Sequence, residues 1–505
     1  MGAGPGDAGL ITVAGLRRLR EADVVIYDAL ANPALLDEAP PHALRIDAGK
    51  RAKAHRLTQD QTNALLVEHA SAGRRVVRLK GGDPYLFGRG AEEAIYCHQH
   101  GVACDVIAGV TSGIAAPAAA GIPVTFRHHA STVTFVTGHE DPTKDATGVD
   151  YAALGGLIKA GGTACFYMGV GRLGAISEAL TAAGVPADMS VAIVQWGTTP
   201  RQRTLRTTLA TAAADVDRTG IGAPAIIVVG VVAGIDEPAL HTFEHRPLFG
   251  QRIIVTRTRQ QASSLRAQLE ALGAQVWEAP TIELQPPALW SDVDAAVRGI
   301  AAYRWLVLTS EQGVAVLAER LAAMKLDARH LAGVRIAAVG EATTAALAHR
   351  LGVRADLVPQ RFTGEAVAEA IVAADEARGQ RVLMLRADIA RPDLPRLLTD
   401  AGANVTDLAS YRTGMPAALP EPVLAVLRAG EADWVTFTSS STATNFATLL
   451  GGERALLTRV KTASIGPSTS QTLRDLGLPV TVEASPSHID GLVAAIIRYG
   501  QASPG

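Results

Sequence analysis

The sequence has few cysteines and few aromatic residues, and both scarcities exclude classes of protein. Three cysteines in 505 residues give no disulfide framework and no cysteine-rich metal centre, and they fit a reducing compartment. Aromatic residues are 4% of the chain, too few for platforms that stack nucleic-acid bases. No apolar run reaches the roughly 18 residues of a membrane helix, and the first residues lack a charged-then-apolar signal pattern. We therefore expect a cytoplasmic protein without a metal.

The charge and length set further bounds. A net charge of −2 gives no electrostatic reason to bind nucleic acid or a membrane surface. The hydrophobic content of 48% is ample for buried cores. A chain of 505 residues predicts about three compact units. Small-molecule chemistry is the expected role.

One stretch, residues 78–90 (RLKGGDPYLFGRG), concentrates the features of a ligand site. It follows a strand-like run and precedes a helix pattern at 91–100. Gly81 and Gly82 let a backbone bend or approach a ligand closely, and Pro84 keeps the residue before it out of a helix. A strand, a glycine turn and a helix predict a ligand at the carboxyl end of the strand. A tight connection without a ligand is the alternative.

A second glycine loop, GAGPGD at 2–7, has no strand before it in the sequence. We expect that the chain begins late or that another segment supplies the edge that holds this loop. The strand run at 24–27 ends at Asp28, about 20 residues after the loop, which imitates a dinucleotide-binding fingerprint. A nicotinamide-dependent oxidoreductase is therefore a rival interpretation at this point.

The chain divides in two by pattern. Up to residue 235, strand-like runs, including one at 102–107, end in small or polar residues, which predicts a two-lobed α/β unit with a cleft. Residues 236–249 lack periodicity and are predicted to be a linker. From residue 252 the sequence repeats at an offset of 129 residues, which predicts two similar lobes with parallel, flavodoxin-like sheets. The matching segments are 252–257 with 381–386, 273–276 with 402–405, and 305–310 with 434–439.

Hydroxyl-rich turns are the main feature of the second unit, which has no metal-ligand spacing and no convincing catalytic triad. Such turns present backbone N–H groups and hydroxyls to anions. They are equally typical of ordinary helix N-caps, where Ser and Thr are preferred. The candidate residues for binding an anionic substrate are Thr309, Ser310, Thr343, Thr438, Ser439 and Ser468.

Long motifs give the first unit a specific resemblance to the uroporphyrinogen-III C-methyltransferases of the tetrapyrrole methylase family. They are GAGPGD at 2–7, ADVVIYDAL at 22–30, GKR at 49–51, RLKGGDPYLFGRG at 78–90, GVTS at 109–112, AGIPVTFR at 120–127, VTGHE at 136–140, FYMG at 166–169, WGTTPRQR at 196–203 and APAIIVVGVV at 223–232. The family uses S-adenosylmethionine, which demotes the nicotinamide interpretation.

The resemblance implies roles for individual residues. Asp28 matches the family's proposed proton acceptor and Lys50 its proposed proton donor. Arg51, Arg89 and Arg127 are the basic residues that we expect to face a polycarboxylate macrocycle. The implied cofactor contacts are Pro5, Gly81, Gly82, Asp83, Leu86, Thr111, Ser112, Met168 and Gly197.

The second unit, 250–503, resembles uroporphyrinogen-III synthase, which cyclises hydroxymethylbilane with inversion of one pyrrole ring. Tyr411 matches the family's tyrosine, a candidate to assist loss of the hydroxyl, although a half-buried strand residue is an equal interpretation. The family fold implies one lobe from about 250–284 plus 414–500, and another from about 285–413. The motifs are VTR at 255–257, LTSEQGV at 308–314, AVGEATTAAL at 338–347, SYRT at 410–413, FTSS at 437–440 and IGPSTSQTL at 465–473.

Together the two resemblances imply a bifunctional enzyme of tetrapyrrole biosynthesis. The synthase product is the methyltransferase substrate, and two methyl transfers would give precorrin-2, on the way to sirohaem or cobalamin. The alternative is an active synthase that carries a non-catalytic methyltransferase-like module for binding or dimerisation. A homodimer through the first unit is the expected assembly.

Overall fold

The computed structural model describes residues 1–49, 57–138, 148–256, 259–374 and 376–502, and in 259–263 it describes the backbone alone. The chain falls into two compact units. The first unit consists of Met1–Ile253, Ser264–Trp277 and Val493–Gly505, and the second consists of Ile254–Ser263 and Glu278–Leu492.

The first sheet of the chain has three parallel strands in the order β2–β1–β3. Its strands are β1 (Val24–Tyr27), β2 (Leu44–Asp47) and β3 (Val76–Leu79), and its helices are α1 (Val13–Arg20), α2 (Gln59–Ser71) and α3 (Gly90–Gln99). The next helix, α4 (Ser112–Ala119), packs on the second sheet of the chain. The apolar residues of β1 are buried on both faces of the strand. This burial is typical of a parallel strand covered on both sides.

The start of the chain lies beside β3. The Lys80 N–H donates to the Met1 carbonyl at 3.0 Å, and the Ala3 N–H donates to the Lys80 carbonyl at 2.7 Å. On the opposite side the Gly2 N–H donates to Ile107 O at 3.0 Å. The first glycine loop is therefore held by isolated bridges, a parallel one between Gly2 and Lys80 and an antiparallel one between Gly4 and Gly82, and not by a strand of its own.

The predicted strand at 102–107 is wrong. These residues form no strand, because among the described residues only Gly2 reaches them from a neighbouring extended segment. A strand needs a row of backbone partners, and one bond does not supply it.

A second, mixed sheet of the first unit has the order β4–β5–β8–β6–β7. Here β4 is parallel to β5, whereas β8 is antiparallel to both β5 and β6. All residues of β5 are buried, as expected for a central strand. Its strands are β4 (Val133–Thr137), β5 (Thr163–Tyr167), β6 (Ser190–Gln195), β7 (Arg203–Thr208) and β8 (Ala225–Val229), and its helices are α5 (Tyr151–Lys159), α6 (Leu173–Ala182) and α7 (Ala212–Thr219).

The residues after 250 form two further sheets with largely parallel strands. The strands are β9 (Arg252–Val255), β10 (Gln275–Glu278), β11 (Glu283–Gln285), β12 (Trp305–Leu308), β13 (Arg335–Ala338), β14 (Arg381–Ala387), β15 (Asn404–Gly414), β16 (Trp434–Phe437), β17 (Lys461–Ser464) and β18 (Val482–Glu483). The helices are α8 (Arg259–Ala271), α9 (Trp290–Arg298), α10 (Glu311–Ala323), α11 (Glu341–Leu351), α12 (Gly364–Ala373), α13 (Asp393–Asp400), α14 (Glu421–Arg428), α15 (Ser440–Leu450), α16 (Pro467–Asp475) and α17 (Ile489–Ala502).

The two sheets share the order of four of their five strands, in keeping with the 129-residue repeat. One runs β10–β9–β16–β17–β18 and the other β11–β15–β14–β12–β13. By the repeat, β10, β9 and β16 correspond to β15, β14 and β12, and each sheet holds its three strands side by side in that order. The fifth strand differs, since β18 is added at one end of its sheet and β11 at the opposite end of the other. Each sheet contains a fully buried strand that begins with tryptophan, β12 or β16. The α/β fold class is confirmed.

The predicted linker, 236–249, contacts the first unit through side chains. The Glu244 carboxylate accepts from Gln202 Nε2 at 2.7 Å and from Thr204 Oγ1 at 2.6 Å. Leu248 is buried, and its N–H donates to Leu272 O at 2.9 Å. The segment therefore packs as part of the first compact unit, and the domain boundaries at 235 and 250 stay predictions.

Within the described part of the chain, we find no helix of the length and apolarity needed to cross a bilayer.

Candidate active sites

Three glycine turns of the first unit meet backbone to backbone. The Gly82 N–H donates to Gly4 O at 2.9 Å, and the Gly4 N–H donates to Gly82 O at 3.3 Å. A Cβ on Gly109 would lie 2.2 Å from Gly82 O, and one on Gly2 would lie 2.5 Å from Gly109 Cα. Such distances leave no room for a side chain. Gly2 of the first loop and Gly109 of the GVTS turn are therefore needed for this close approach to the backbone of Gly82.

Two carboxylates tie these turns to the neighbouring strand ends. Asp83 Oδ2 accepts the N–H of Gly109 at 2.9 Å. Asp28, at the end of β1, accepts the Gly81 N–H at 3.1 Å through Oδ2, and the N–H groups of Leu30 and Ala31 through Oδ1. Each carboxylate thus spans two turns that are far apart in the sequence. The structure brings Asp28, Gly81, Gly82 and Asp83 together at one edge of the first sheet.

The first loop also binds the segment that follows β6. The Thr198 hydroxyl donates to Pro5 O, and the same hydroxyl accepts the N–H of Asp7 at 3.1 Å. The neighbouring Gly197 packs so tightly on α4 that an added Cβ would lie 2.3 Å from the Ala116 Cβ. Pro5 and Gly197, two predicted cofactor contacts, therefore share one neighbourhood.

Tyr167 is a functional candidate that the sequence reasoning missed. Its hydroxyl lies 2.6 Å from Thr111 Oγ1 and accepts the Gly113 N–H at 2.7 Å. In the described part of the chain, the side chain of Thr111 makes no capping hydrogen bond to α4. Tyr167, at the end of β5, caps the helix instead. The available signal was a tyrosine at the end of an apolar strand, because a buried phenol needs a hydrogen-bond partner.

The remaining predicted cofactor contacts lie around Tyr167. Ser112 begins α4, and Leu86 packs on the core cluster that contains Tyr167. Met168 follows Tyr167 directly, is 53% exposed and has a φ of 55°. This left-handed conformation costs a methionine roughly 1–3 kcal/mol, a strain that clusters at functional sites.

A buried ion cluster lies behind the glycine turn. Glu93 Oε1 accepts from Lys80 Nζ at 2.9 Å, from Arg78 Nε at 3.1 Å and from Gln59 Nε2 at 3.1 Å. Burial and the charge of Arg78 lower the pKa of Lys80. Burial raises the pKa of Glu93, but the charges of Arg78 and Lys80 outweigh it and hold the pKa below its usual range. The cluster fixes α3 to the residues that enter the turn.

Of the basic residues predicted to face the substrate, the structure describes Arg89 and Arg127, and both are exposed. Lys50 and Arg51 lie outside the described residues. The guanidinium of Arg89 pairs with Glu92 at 2.6 Å on the surface, and Arg127 lies in an exposed turn between Phe126 and Ala130. Their contact with a substrate stays a prediction.

In the second unit, two predicted residues from separate motifs touch. The Ser310 hydroxyl lies 2.9 Å from the Tyr411 hydroxyl. Ser310 is the N-cap of α10 and accepts the Gly313 N–H at 3.1 Å, which confirms the capping interpretation for this turn. Tyr411 is 8% exposed on β15. The tyrosine hydroxyl is therefore held at the positive end of a helix.

A second contact joins the other hydroxyl turns. Ser439 caps α15 in a capping box with Thr442. The next residue, Ser440, places its hydroxyl 3.3 Å from that of Ser468 at the start of α16. Thr309 and Thr438 are half-buried beside their serines, whereas Thr343 is 5% exposed within α11. Ser439 and Ser468 are thus brought close, and Thr343 is the residue least available to a ligand.

Comparison with known proteins agrees with both groups of motifs. Two family models match: Tetrapyrrole (Corrin/Porphyrin) Methylases over residues 1–213, and Uroporphyrinogen-III synthase HemD over residues 263–494. Porphyrin biosynthesis protein HemD of Ruminiclostridium josui is 35% identical over 500 residues, which cover 99% of this chain and 97% of that protein.

Two methyltransferases match over shorter lengths. Uroporphyrinogen-III C-methyltransferase of Bacillus subtilis (strain 168) is 39% identical over 344 residues, 68% of this chain and 70% of that protein. S-adenosyl-L-methionine-dependent uroporphyrinogen III methyltransferase of Methanosarcina barkeri is 46% identical over 237 residues, 47% of this chain and 92% of that protein. The chain therefore belongs to the tetrapyrrole methylase family in its first half and to the uroporphyrinogen-III synthase family in its second half.

Proposed function

We propose that this chain carries out two consecutive steps of tetrapyrrole biosynthesis. The second unit cyclises hydroxymethylbilane to uroporphyrinogen III, and the first unit methylates that product twice to give precorrin-2. The observation that carries the proposal is the meeting of Asp28 and Asp83 with the glycine turns at Gly4, Gly82 and Gly109. This arrangement presents backbone groups and little side-chain bulk, which suits an extended cofactor.

S-adenosylmethionine fits the space beside Gly82. A Cβ on this glycine would meet only Ser112 N, at 3.9 Å, so the space there is open. Gly81, Gly82, Asp83, Thr111, Ser112, Met168, Pro5, Gly197 and Leu86 are the residues that we propose to hold the cofactor. When bound, S-adenosylmethionine supplies an electrophilic methyl group to a pyrrole carbon of the macrocycle.

The role of the chain in methyl transfer is to position the partners and to move protons. The glycine turns, fixed by their hydrogen bonds, keep the methyl group of the cofactor close to the reacting carbon of the macrocycle and in line with it. This positioning removes much of the entropic barrier to methyl transfer. Asp28 is the proposed proton acceptor as the macrocycle rearranges. Its carboxylate already accepts the Gly81 N–H, so the same group also orients the glycine turn. Lys50 is the proposed donor, and Arg51, Arg89 and Arg127 are proposed to pair with substrate carboxylates.

In the second unit, Tyr411 is proposed to assist departure of the hydroxyl of hydroxymethylbilane. Its contact with Ser310 supports this proposal, since the serine fixes the phenol at the N-terminus of α10. The turns at Thr309, Thr343, Thr438, Ser439 and Ser468 are proposed to bind substrate carboxylates through backbone N–H groups.

The test supplies the full-length protein with hydroxymethylbilane and S-adenosylmethionine. A dimethylated dipyrrocorphin, identified by its absorbance and mass, is the expected product. Omission of S-adenosylmethionine should leave uroporphyrinogen III. Accumulation of the type-I porphyrinogen alone would contradict both activities. The predicted homodimer is checked by light scattering of the same sample.

A non-catalytic first unit is the alternative, and the same reaction separates the two. Formation of uroporphyrinogen III without a methylated product, together with no S-adenosylmethionine binding by calorimetry, would favour the alternative. The contact of the first loop with Lys80 and Ile107 supports the catalytic proposal, because it keeps Gly4 opposite Gly82.

A further inference from the structure

Two of the three cysteines lie at one cavity of the first unit. Cys97 is on α3 and is 3% exposed, whereas Cys104 is exposed five residues after the helix ends at Gln99. Both line a cavity of about 340 Å³ beside β3. Cys165 lies within β5 and is fully buried. The cavity therefore gathers a buried thiol and a solvent-accessible one.

The turn after α3 brings these two thiols together. Gly101 adopts a left-handed φ of 75° and reverses the chain. The Val102 N–H then donates to Cys97 O at 2.9 Å, and the Val102 side chain packs on the cluster that contains Cys97. The Cys104 sulfur turns back to within 4.0 Å of Val102 O. Burial and the neighbouring Cys104 thiol raise the pKa of Cys97 to about 12.

We propose that Cys97 and Cys104 are an oxidation-sensitive pair, which a peroxide converts into an intramolecular disulfide. Cys104 reacts first because it is the exposed thiol of the two. Its sulfur attacks one peroxide oxygen, the O–O bond breaks and water leaves, which gives a sulfenic acid. The Cys97 sulfur then attacks the Cys104 sulfur, the S–O bond breaks, and the hydroxyl leaves as water with the Cys97 proton. One peroxide is reduced to two waters as the two sulfurs are oxidised.

The disulfide has a structural consequence that extends to the glycine turns. It fastens residues 102–104 to α3, whereas the reduced segment belongs to no strand. The same segment continues to Ile107, which accepts the Gly2 N–H, and to Gly109, whose N–H binds Asp83. Amide hydrogen exchange of residues 102–109 is therefore expected to slow on oxidation.

The test treats the full-length protein with hydrogen peroxide, unfolds it in urea, alkylates the unfolded chain with iodoacetamide and digests it with trypsin. Trypsin cleaves after Arg89 and after Arg127, and no Lys or Arg lies between these two residues. Both cysteines are therefore in a single tryptic peptide. We expect that peptide to lose the mass of two hydrogens and to resist alkylation until dithiothreitol is added. Cys165 serves as an internal control, which should be alkylated in the unfolded chain to the same extent with and without peroxide.

Two variants sharpen the result. Cys104→Ser changes an exposed side chain and should keep the thermal unfolding temperature while abolishing the mass loss. Cys97→Ser should leave a sulfenic acid at Cys104 that dimedone traps. The proposal would be overturned if the wild-type peptide carried a sulfinic acid at Cys104 and an alkylated Cys97. A disulfide between two chains would overturn it as well.

Discussion

The hydroxyl oxygens of Ser310 and Tyr411 lie 2.9 Å apart, although 101 residues separate them in the chain. Ser310 begins α10, and Tyr411 lies on β15, so the contact joins a helix N-terminus to a strand of the same sheet that holds β12. A helix N-terminus stabilises negative charge on nearby oxygens. The pair therefore places the proposed proton-donating phenol where a developing anion is favoured.

Replacement of Tyr411 by phenylalanine is expected to slow ring closure about tenfold, which corresponds to about 1.4 kcal/mol. The side chain keeps its packing but loses the hydroxyl, and methyl transfer from added uroporphyrinogen III should be unchanged. The ratio of type-III to type-I product from hydroxymethylbilane measures the effect. Tyr303→Phe, another buried tyrosine of the second unit, is the matched control. Equal losses in both variants would assign Tyr411 to packing alone.

Asp28→Ala is expected to abolish methyl transfer and to leave ring closure intact. The variant removes the proposed proton acceptor and also the acceptor of the Gly81 N–H. Liquid chromatography of the products with each substrate measures both activities. Asp150→Ala is the control, because Asp150 caps α5 in the way that Asp28 caps its own turn, at a cost of about 0.5–2 kcal/mol. Loss of both activities in Asp28→Ala would contradict the modular assignment.

Gly82→Ala is expected to weaken binding of S-adenosylhomocysteine at least about tenfold, or 1.4 kcal/mol, with a modest loss of stability. Gly82 has a φ of 69°, and the added methyl enters the open space that we assign to the cofactor. Gly73→Ala is a close control, since Gly73 has a φ of 76° and open surroundings away from the turns. Calorimetric titration and thermal unfolding are compared for both variants. If Gly82→Ala and Gly73→Ala bound S-adenosylhomocysteine with similar affinity, the assignment of this space to the cofactor would be wrong.

The sequence predicted those elements whose pattern is local. The strands β1 and β5 have the bounds that their apolar runs indicate. The internal repeat predicts two similar sheets, and they share the order of four of their five strands. The motifs also named Asp28, Asp83 and the glycines that meet at one edge. These features could be predicted because buried strands and glycine turns appear in the sequence as short, regular patterns.

The failures concern partners that are distant in the chain. The run at 102–107 looks like a strand, yet a strand depends on its neighbours as well as on its own residues. The role of Tyr167 as the cap of α4 joins residues 54 positions apart, and no spacing rule reports such a bond. The Lys80–Glu93 pair was missed for a similar reason, because charged residues are usually exposed and nothing local marks these as buried.

Glu93→Gln is expected to destabilise the protein by about 3–5 kcal/mol, because it leaves Lys80 and Arg78 buried without their carboxylate. The neighbouring Glu92→Gln removes an exposed partner of Arg89 and should change stability by less than about 0.5 kcal/mol. The folded pKa of Glu93 is below its ordinary value, so its contribution is present at neutral pH and is lost as the pH falls through that folded pKa. Urea unfolding at neutral pH and at pH values below about 4 measures both effects. The difference in the free energy of unfolding between wild type and Glu93→Gln should become smaller in acid. A difference that stays constant would mean that the charge of the Glu93 carboxylate contributes nothing to stability.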